Sequence, residues 1–201
     1  MELGRLAQGY NDTKGTNTVK FMTFEEITKI PKDRTVTYAR IVPDYRPQKK
    51  DPNRVRITAG GNLIDYPFEL TTRTTDLTTS KVMWNSVVST PDARYMCAGV
   101  KNFYLCTPLD RYEYMRMPVD LIPPEFMDLY ELHDKVKNGY VYMEIQRGMY
   151  GLPQAGILAN KLLKERIAKY GYYAVKHTPG LFKHETRPIW FTLVVDDFGI
   201  K

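Results

Sequence analysis

Residues 191–201 read FTLVVDDFGIK, in which two acidic residues, Asp196 and Asp197, follow five β-favouring residues. Phe198-Gly199 comes next, so the pattern predicts a strand that enters a tight hairpin turn. Adjacent carboxylates at a turn repel one another and persist most easily where a divalent cation neutralises them. Aspartate and glycine are also ordinary turn residues, so the stretch alone is consistent with either a metal site or a simple turn.

The composition is that of a globular protein with a basic surface. The chain has 201 residues, of which 43% are hydrophobic and 12% aromatic, enough for one substantial domain or two small lobes. The formal net charge is +6, and basic residues cluster in stretches such as residues 46–56, RPQKKDPNRVR. Such clusters suit a polyanionic partner, although a solvated basic surface would have the same composition.

Cysteine usage and hydropathy bear on the compartment. Cys97 and Cys106 are the only cysteines, and neither has a partner at zinc-binding spacing. This favours a reducing, intracellular environment over a disulfide framework or a zinc site. No run approaches the roughly 18 apolar residues of a membrane span, and the first residues do not resemble a signal peptide. We therefore expect no membrane association.

In the first half of the chain, the pattern predicts a hairpin, a helix and a central strand. Residues 54–57 and 62–66 are β-prone and flank Ala59-Gly60-Gly61, which predicts a hairpin with a glycine turn. Thr75-Asp76 supplies an N-cap for an amphipathic helix that Pro91 would end. Residues 95–105, YMCAGVKNFYL, are mostly apolar and predict a central strand covered on both faces.

The second half contains the most distinctive loop. Pro123-Pro124 predicts a helix start, and Asn138-Gly139 predicts a turn into an alternating strand. Residues 150–156 then read YGLPQAG, a constrained loop directly before a strongly amphipathic helix. Gly171 is the expected end of that helix.

Taken in order, these features resemble a known family. The chain contains, in this order, an arginine-bearing strand, an apolar strand around residue 99, YGLPQAG and VVDDFG. This order resembles that in the fingers and palm of reverse transcriptases. The similarity is strongest to copia-type LTR retrotransposon polymerases and covers residues 50–201. It implies an α+β fold in which an antiparallel palm sheet is backed by helices and joined to fingers.

The resemblance also implies a domain organisation. The expected segments are a loosely ordered N-terminal arm (1–48), a fingers hairpin (49–75), the first part of the palm (76–106), a fingers and palm insertion (107–149) and the second part of the palm (150–201). Because the sequence stops at Lys201, we expect the thumb and the RNase H region to be absent. A polyprotein fragment, a degenerate element copy and a truncated gene product would all fit this length.

The implied reaction is template-directed addition of deoxynucleotides to a primer. In this family two Mg²⁺ ions, with Mn²⁺ as an alternative, stabilise the attacking and leaving oxygens. By resemblance Asp196 and Asp197 are the catalytic metal ligands, and the strand predicted at residues 95–105 must lie beside them. The implied partners are an RNA or DNA template with its primer, deoxynucleoside triphosphates and other segments of a retrotransposon polyprotein, in the cytoplasm, the nucleus or a virus-like particle.

Five further residues match nucleotide-binding positions of the family. Arg54 and Arg56 fall where the fingers contact the triphosphate, although a solvated strand face is the simpler alternative. Tyr104 matches the aromatic residue that crowds the sugar 2′-position, but it would serve equally as a core aromatic. Gln154 lies in the loop beside the nucleotide and template, and Val195 directly precedes the aspartate pair.

One position departs from the family pattern. Relatives carry A-D-V-K-N-F-Y-L, whereas residues 98–105 here read AGVKNFYL, so Gly99 replaces the third metal-binding aspartate. Glycine has no side-chain oxygen, and we expect catalysis to be severely reduced. Rescue by Asp92 or Asp110 would require a large register shift. The alternative function is a catalytically inactive nucleic-acid-binding remnant of a reverse transcriptase, that is, a pseudoenzyme.

Protein kinases are the other enzyme class that shares a motif with this sequence. Residues 197–199 spell DFG, the magnesium-binding tripeptide of kinases. The chain lacks the HRD loop, the GxGxxG loop and the VAIK strand that this family requires. The kinase interpretation is therefore rejected.

Overall fold

The computed structural model describes residues 2–201, which form a mixed α+β structure dominated by sheets. The α+β class predicted from the sequence is confirmed at this level. The chain divides into two compact units: residues 2–69 with Tyr104–Ala155, and Leu70–Phe103 with Gly156–Lys201. Each unit is therefore built from two separate stretches of sequence.

Five helices and thirteen strands lie within residues 2–201. The helices are α1 (Glu2–Leu6), α2 (Phe24–Thr28), α3 (Leu77–Ser89), α4 (Pro124–Leu129) and α5 (Ala155–Ala168). The strands are β1 (Gly9–Tyr10), β2 (Thr13–Lys14), β3 (Val19–Phe21), β4 (Val36–Tyr45), β5 (Asn53–Ala59), β6 (Met96–Gly99), β7 (Pro108–Pro118), β8 (Val136–Lys137), β9 (Tyr140–Arg147), β10 (Tyr172–Ala174), β11 (Leu181–His184), β12 (Trp190–Val194) and β13 (Asp197–Ile200). Short 3-10 turns lie at Gly61–Leu63, Val119–Leu121 and His133–Lys135.

The first unit is organised around a six-stranded sheet. Its main order is β3-β9-β7-β4-β5, with β8 paired to β9. The β4–β7 pair is parallel and the other pairs are antiparallel. On β9, the alternating residues Val141, Met143 and Ile145 are fully buried, as their period of two predicts.

The predicted glycine hairpin is wrong. The arginine-bearing strand β5 pairs with β4, which precedes it, and the glycines follow β5 in the 3-10 turn. A Cβ on Gly61 would lie 1.9 Å from the carbonyl oxygen of Gly151. The glycine is therefore needed for close packing against the YGLPQAG loop, which a turn motif read along the sequence does not reveal.

The first 48 residues also differ from the expected loose arm. They contain two helices, a small β1–β2 hairpin, and strands β3 and β4, which join the six-stranded sheet. Leu3, Leu6 and Val19 are buried. The apolar residues in this stretch are sparse and show no long periodic run, so their burial depends on partners far away in the sequence.

The second unit has a five-stranded antiparallel sheet in the order β10-β11-β12-β13-β6. On one face, Leu163 and Ile167 of α5 pack against a core of Phe182, Phe191 and Leu193. This arrangement explains the amphipathic pattern of α5. No helix within residues 2–201 combines the length and hydropathy needed to cross a bilayer.

Helix α3 begins where the sequence predicts but buries little of its apolar surface. The Asp76 side chain accepts a hydrogen bond from the Thr79 backbone N–H at 2.6 Å and caps the helix. This bond holds the pKa of the Asp76 carboxyl below its usual value. Of the α3 residues, Met83 is buried, whereas Trp84 is 54% exposed. Trp84 therefore lies on the surface although tryptophan is a large apolar residue.

The strand predicted at residues 95–105 is shorter and more exposed than expected. Only β6, Met96–Gly99, is extended, and all four of its residues are exposed at the edge of the sheet. Residues 101–106 form turns, and Asn102 adopts a left-handed φ of 57°. An apolar run with strong β propensity does not by itself distinguish an edge strand from a central one.

Candidate functional site

The acidic hairpin lies directly against the strand that carries residue 99. Strands β12 and β13 are joined by a two-residue turn, Val195-Asp196. Asp197 at the start of β13 pairs with Gly99 at the end of β6. The Val100 backbone N–H also donates a hydrogen bond to the Asp196 carbonyl oxygen at 3.0 Å. The predicted proximity of the acidic turn and this strand is confirmed.

The carboxylates of Asp196 and Asp197, which we call the acidic corner, are accessible, and no basic side chain within residues 2–201 pairs with them. Asp197 is exposed and Asp196 is half-buried. Within residues 2–201, neither forms an ion pair with a basic side chain. Adjacent like charges without a cation repel one another, so the corner attracts positively charged ligands.

Gly99 is not required by the backbone of β6. Its φ does not fall in the left-handed region, and a Cβ at this position would lie 3.2 Å from Oδ1 of Asp197. That contact is tight, but it involves the end of an exposed side chain that can rotate away. The position can therefore accept an aspartate with a small local adjustment.

The residues present do not match a two-ion centre. A pair of Mg²⁺ ions needs carboxylate oxygens from at least one more residue than the hairpin supplies, and Gly99 has none. Across residues 2–201, no three His, Cys, Asp or Glu side chains are grouped in a way that could hold a metal ion. Asp110, one of the two alternatives in the sequence analysis, belongs to the first unit and accepts a hydrogen bond from Tyr66 at 2.6 Å.

The turn that presents the carboxylates contains a strained residue. Val195 has a φ of 58° and is 40% exposed. A β-branched side chain in this region is a conformational outlier, because its Cβ substituents crowd the backbone. The pairing on both sides of the turn holds Val195 in this conformation. Val195 is thus a positioning residue for the neighbouring aspartates.

A groove adjoins the acidic corner in the second unit. It encloses about 450 Å³ and is lined by Trp84, Tyr95, Cys97, Gly99 and Asp197 among others. The Trp84 and Tyr95 rings meet edge to face with their centroids 6.1 Å apart. Aromatic side chains therefore line the same groove as Asp197.

Two of the predicted nucleotide-binding residues of the first unit share one cluster. The Arg56 guanidinium lies over the Tyr150 ring, 4.8 Å from its centroid. Tyr104 meets the same ring edge to face at 5.5 Å. Tyr150, the first residue of the YGLPQAG loop, thus joins Arg56 to Tyr104, a role that its position in the motif alone did not indicate.

Arg54 lies in different surroundings from Arg56. It lines a cavity of about 720 Å³ together with Val55 and Ile57. No ion pair involves Arg54 within residues 2–201. The two arginines on β5 are therefore not brought together around one shared partner.

Gln154 is fully buried and cannot touch a ligand in this conformation. Its Nε2 donates a hydrogen bond to Oε1 of Glu113 at 2.9 Å. Nε of Arg111 donates to the same oxygen at 2.8 Å. The Gln154 Oε1 atom is buried and has no hydrogen-bond partner within residues 2–201. Gln154 therefore fixes the position of the loop from inside.

The Arg111–Glu113 pair continues to the surface through Tyr66. The Arg111 guanidinium lies 5.0 Å from the centre of the Tyr66 ring. Burial, together with the hydrogen bond to Asp110, raises the pKa of Tyr66 to about 12. No sequence pattern indicates this network, because its members have no recognisable spacing.

No protein-family model matches the chain, and no characterised protein matches its sequence significantly.

Proposed function

We propose that this chain is the fingers and palm portion of a copia-type reverse transcriptase whose catalytic centre is impaired by Gly99. The observation that carries the proposal is the register of the sheet, in which Asp197 pairs with Gly99. A polymerase palm needs paired carboxylates on a hairpin beside a third one on the neighbouring strand. The pairing supports this interpretation, since it puts residue 99 where the third carboxylate would be needed.

The division of the chain is a second line of support. Each unit combines an early and a late stretch of sequence, and the acidic hairpin belongs to the same unit as β6. A palm interrupted by finger segments would have such an alternating organisation. The Arg56, Tyr150 and Tyr104 cluster supplies a cation and two aromatic rings, groups suited to a nucleotide.

A nucleic-acid-binding remnant without catalytic activity is the second candidate. The observation that favours it is the absence of a side-chain oxygen at residue 99, since the two remaining aspartates do not complete a two-ion centre. This candidate retains the template and primer as partners. It differs in that nucleotides and Mg²⁺ are not used.

The decisive experiment restores one carboxylate. Gly99→Asp should bind Mn²⁺ at least tenfold more tightly than the unmodified chain does. Electron paramagnetic resonance of the Mn²⁺ ion measures this affinity. Gly99→Asn is the matched control, because it has nearly the same size and no charge. Adding Asp196→Asn to Gly99→Asp should abolish the gain. Equal Mn²⁺ affinity in Gly99→Asp and Gly99→Asn would contradict the proposed geometry.

Primer extension on an RNA template tests the reaction itself. We expect Mg²⁺-dependent extension by Gly99→Asp when the chain is joined to a reverse-transcriptase thumb segment, and none by the unmodified chain or by Gly99→Asn in the same form. Equal extension by all three would refute the explanation of the defect. If Gly99→Asp binds Mn²⁺ but does not extend the primer, the remnant is the better description.

A further inference from the structure

The face of the second sheet that carries Asp197 also presents a row of aromatic and basic side chains. Tyr173 on β10 pairs with Lys183 on β11, and Lys183 pairs with Trp190 on β12. Directly paired residues point to the same face of a sheet. The Lys183 ammonium lies 5.3 Å from the centre of the Tyr173 ring and 5.3 Å from that of the Trp190 ring. We refer to these three residues as the aromatic row.

The aromatic row lies on the opposite side of the sheet from the core. Phe182 and Phe191, the neighbours in sequence of Lys183 and Trp190, point to the other face and are buried beneath α5. The row itself is accessible: Tyr173 is 44% exposed, and Lys183 and Trp190 are half-buried. A hydrophobic-core role therefore does not explain these large side chains.

The segment that carries the row is positively charged. Residues 172–190 contain three basic residues, Lys176, Lys183 and Arg187, against one carboxylate, Glu185. Within residues 2–201, none of the three forms an ion pair. An anionic partner would be attracted here, and aromatic rings on both sides of the lysine would offer it flat apolar surfaces.

The row and the acidic corner are separate surfaces on the same face of the sheet. Trp190 and Val194 lie on the same face of β12, and Val194 pairs with Asp197. Four residues of a strand span about 13 Å. Thr192, which lies between Trp190 and Val194, is buried, so this face is covered between the row and the corner. The carboxylates at the corner would also repel a polyanion.

We propose that the aromatic row binds single-stranded nucleic acid by base stacking. Exposed aromatics on antiparallel sheets stack two or three bases in RNA-binding domains, and basic side chains hold the phosphates. The site needs neither a metal ion nor a carboxylate at residue 99. It therefore goes beyond the proposed function and can be tested separately from it.

Binding is measured by the fluorescence anisotropy of fluorescein-labelled octathymidylate and octauridylate, in EDTA at low salt. The Tyr173→Ala/Lys183→Gln variant should bind about 5- to 100-fold more weakly than the unmodified chain, since it loses one stacking surface and one phosphate contact. Tyr173→Phe/Lys183→Arg keeps the ring and the charge, so it should retain affinity. This conservative variant separates loss of binding from loss of folding.

The matched control removes the same residue types elsewhere. Tyr170 is 74% exposed and Lys169 is exposed, and both lie outside the row. Tyr170→Ala/Lys169→Gln should change the affinity less than twofold. An equal loss in both alanine–glutamine variants would overturn the proposal, because binding would then depend on general charge. Failure of the unmodified chain to bind either oligonucleotide would also overturn it.

Tryptophan fluorescence gives an independent readout of stacking. Trp84 and Trp190 are the only two tryptophans, so Trp190 alone emits in a Trp84→Phe background. Adding unlabelled octathymidylate should quench this emission. Emission that does not change at saturating oligonucleotide would exclude stacking on Trp190. Neither outcome depends on whether Gly99→Asp extends a primer.

Discussion

Replacing Gln154 by alanine should destabilise the first unit rather than weaken a ligand contact. The side chain is fully buried, and its Nε2 donates to the buried Glu113 carboxylate at 2.9 Å. A hydrogen bond to a charged group contributes about 1.5–3 kcal/mol, and its loss leaves that carboxylate with one donor fewer. The space left by the removed amide adds a cavity cost of about 1 kcal/mol. Removing the unpaired, buried Oε1 offsets part of this cost. We therefore expect Gln154→Ala to lower the free energy of unfolding by about 2–3 kcal/mol.

Urea unfolding at neutral pH, followed by circular dichroism, measures the change. The midpoint should fall while the dependence of the free energy of unfolding on urea concentration stays the same. Gln146→Ala is the matched control, since Gln146 Nε2 donates to Oε1 of Glu144 at 2.8 Å and both residues are only half-buried. This pair is hydrated, so its loss should cost less than about 1 kcal/mol.

Similar losses for Gln154→Ala and Gln146→Ala would refute the reasoning, because burial would then not determine the value of the bond. Unchanged stability of Gln154→Ala, together with weaker nucleotide binding, would instead identify Gln154 as a residue that contacts the ligand.

Two other predictions concern the hairpin turn and the buried network. Val195→Gly should raise the free energy of unfolding by about 0.5–1 kcal/mol, because glycine adopts the positive φ without strain. The control Val194→Gly, in the adjacent strand, should lower the free energy of unfolding. A lower free energy of unfolding in Val195→Gly would contradict the strain argument. Tyr66→Phe removes the hydrogen bond to Asp110 and should cost about 1 kcal/mol at neutral pH. Because the pKa of Tyr66 is raised to about 12, this stabilisation is complete below pH 10 and is lost as the pH rises toward 12. Urea unfolding of both proteins between pH 7 and 11 checks this, and a difference that widens with pH would oppose the assignment.

Local rules were sufficient where neighbouring residues determine the structure. Propensity, residue period and turn chemistry within short stretches of sequence are enough to predict four features. These are the Asp76 cap, the alternating strand β9, the strand β12 and the turn before Asp197. The same rules located the candidate carboxylates, since an acidic pair at the tip of a hairpin is visible in the sequence itself.

Contacts between residues far apart in the sequence determined the features that short stretches do not predict. The turn rules predict a hairpin at Gly60-Gly61, yet Gly61 serves close contact with the YGLPQAG loop. The stretch around Gly99 has the composition of a central strand, but its place at the sheet edge depends on which strands pair. The burial of Gln154 against Glu113 likewise joins residues 41 positions apart.

The sequence by itself determined the acidic hairpin and the missing oxygen at residue 99, because each depends on residue identity or on a short pattern. The mixed α+β class was implied by the resemblance to reverse transcriptases. Only the tertiary structure decided that Asp197 pairs with Gly99 and that Tyr173, Lys183 and Trp190 form one row. Strand register is a relation between distant segments, and a shift of one residue would turn each of these side chains to the opposite face.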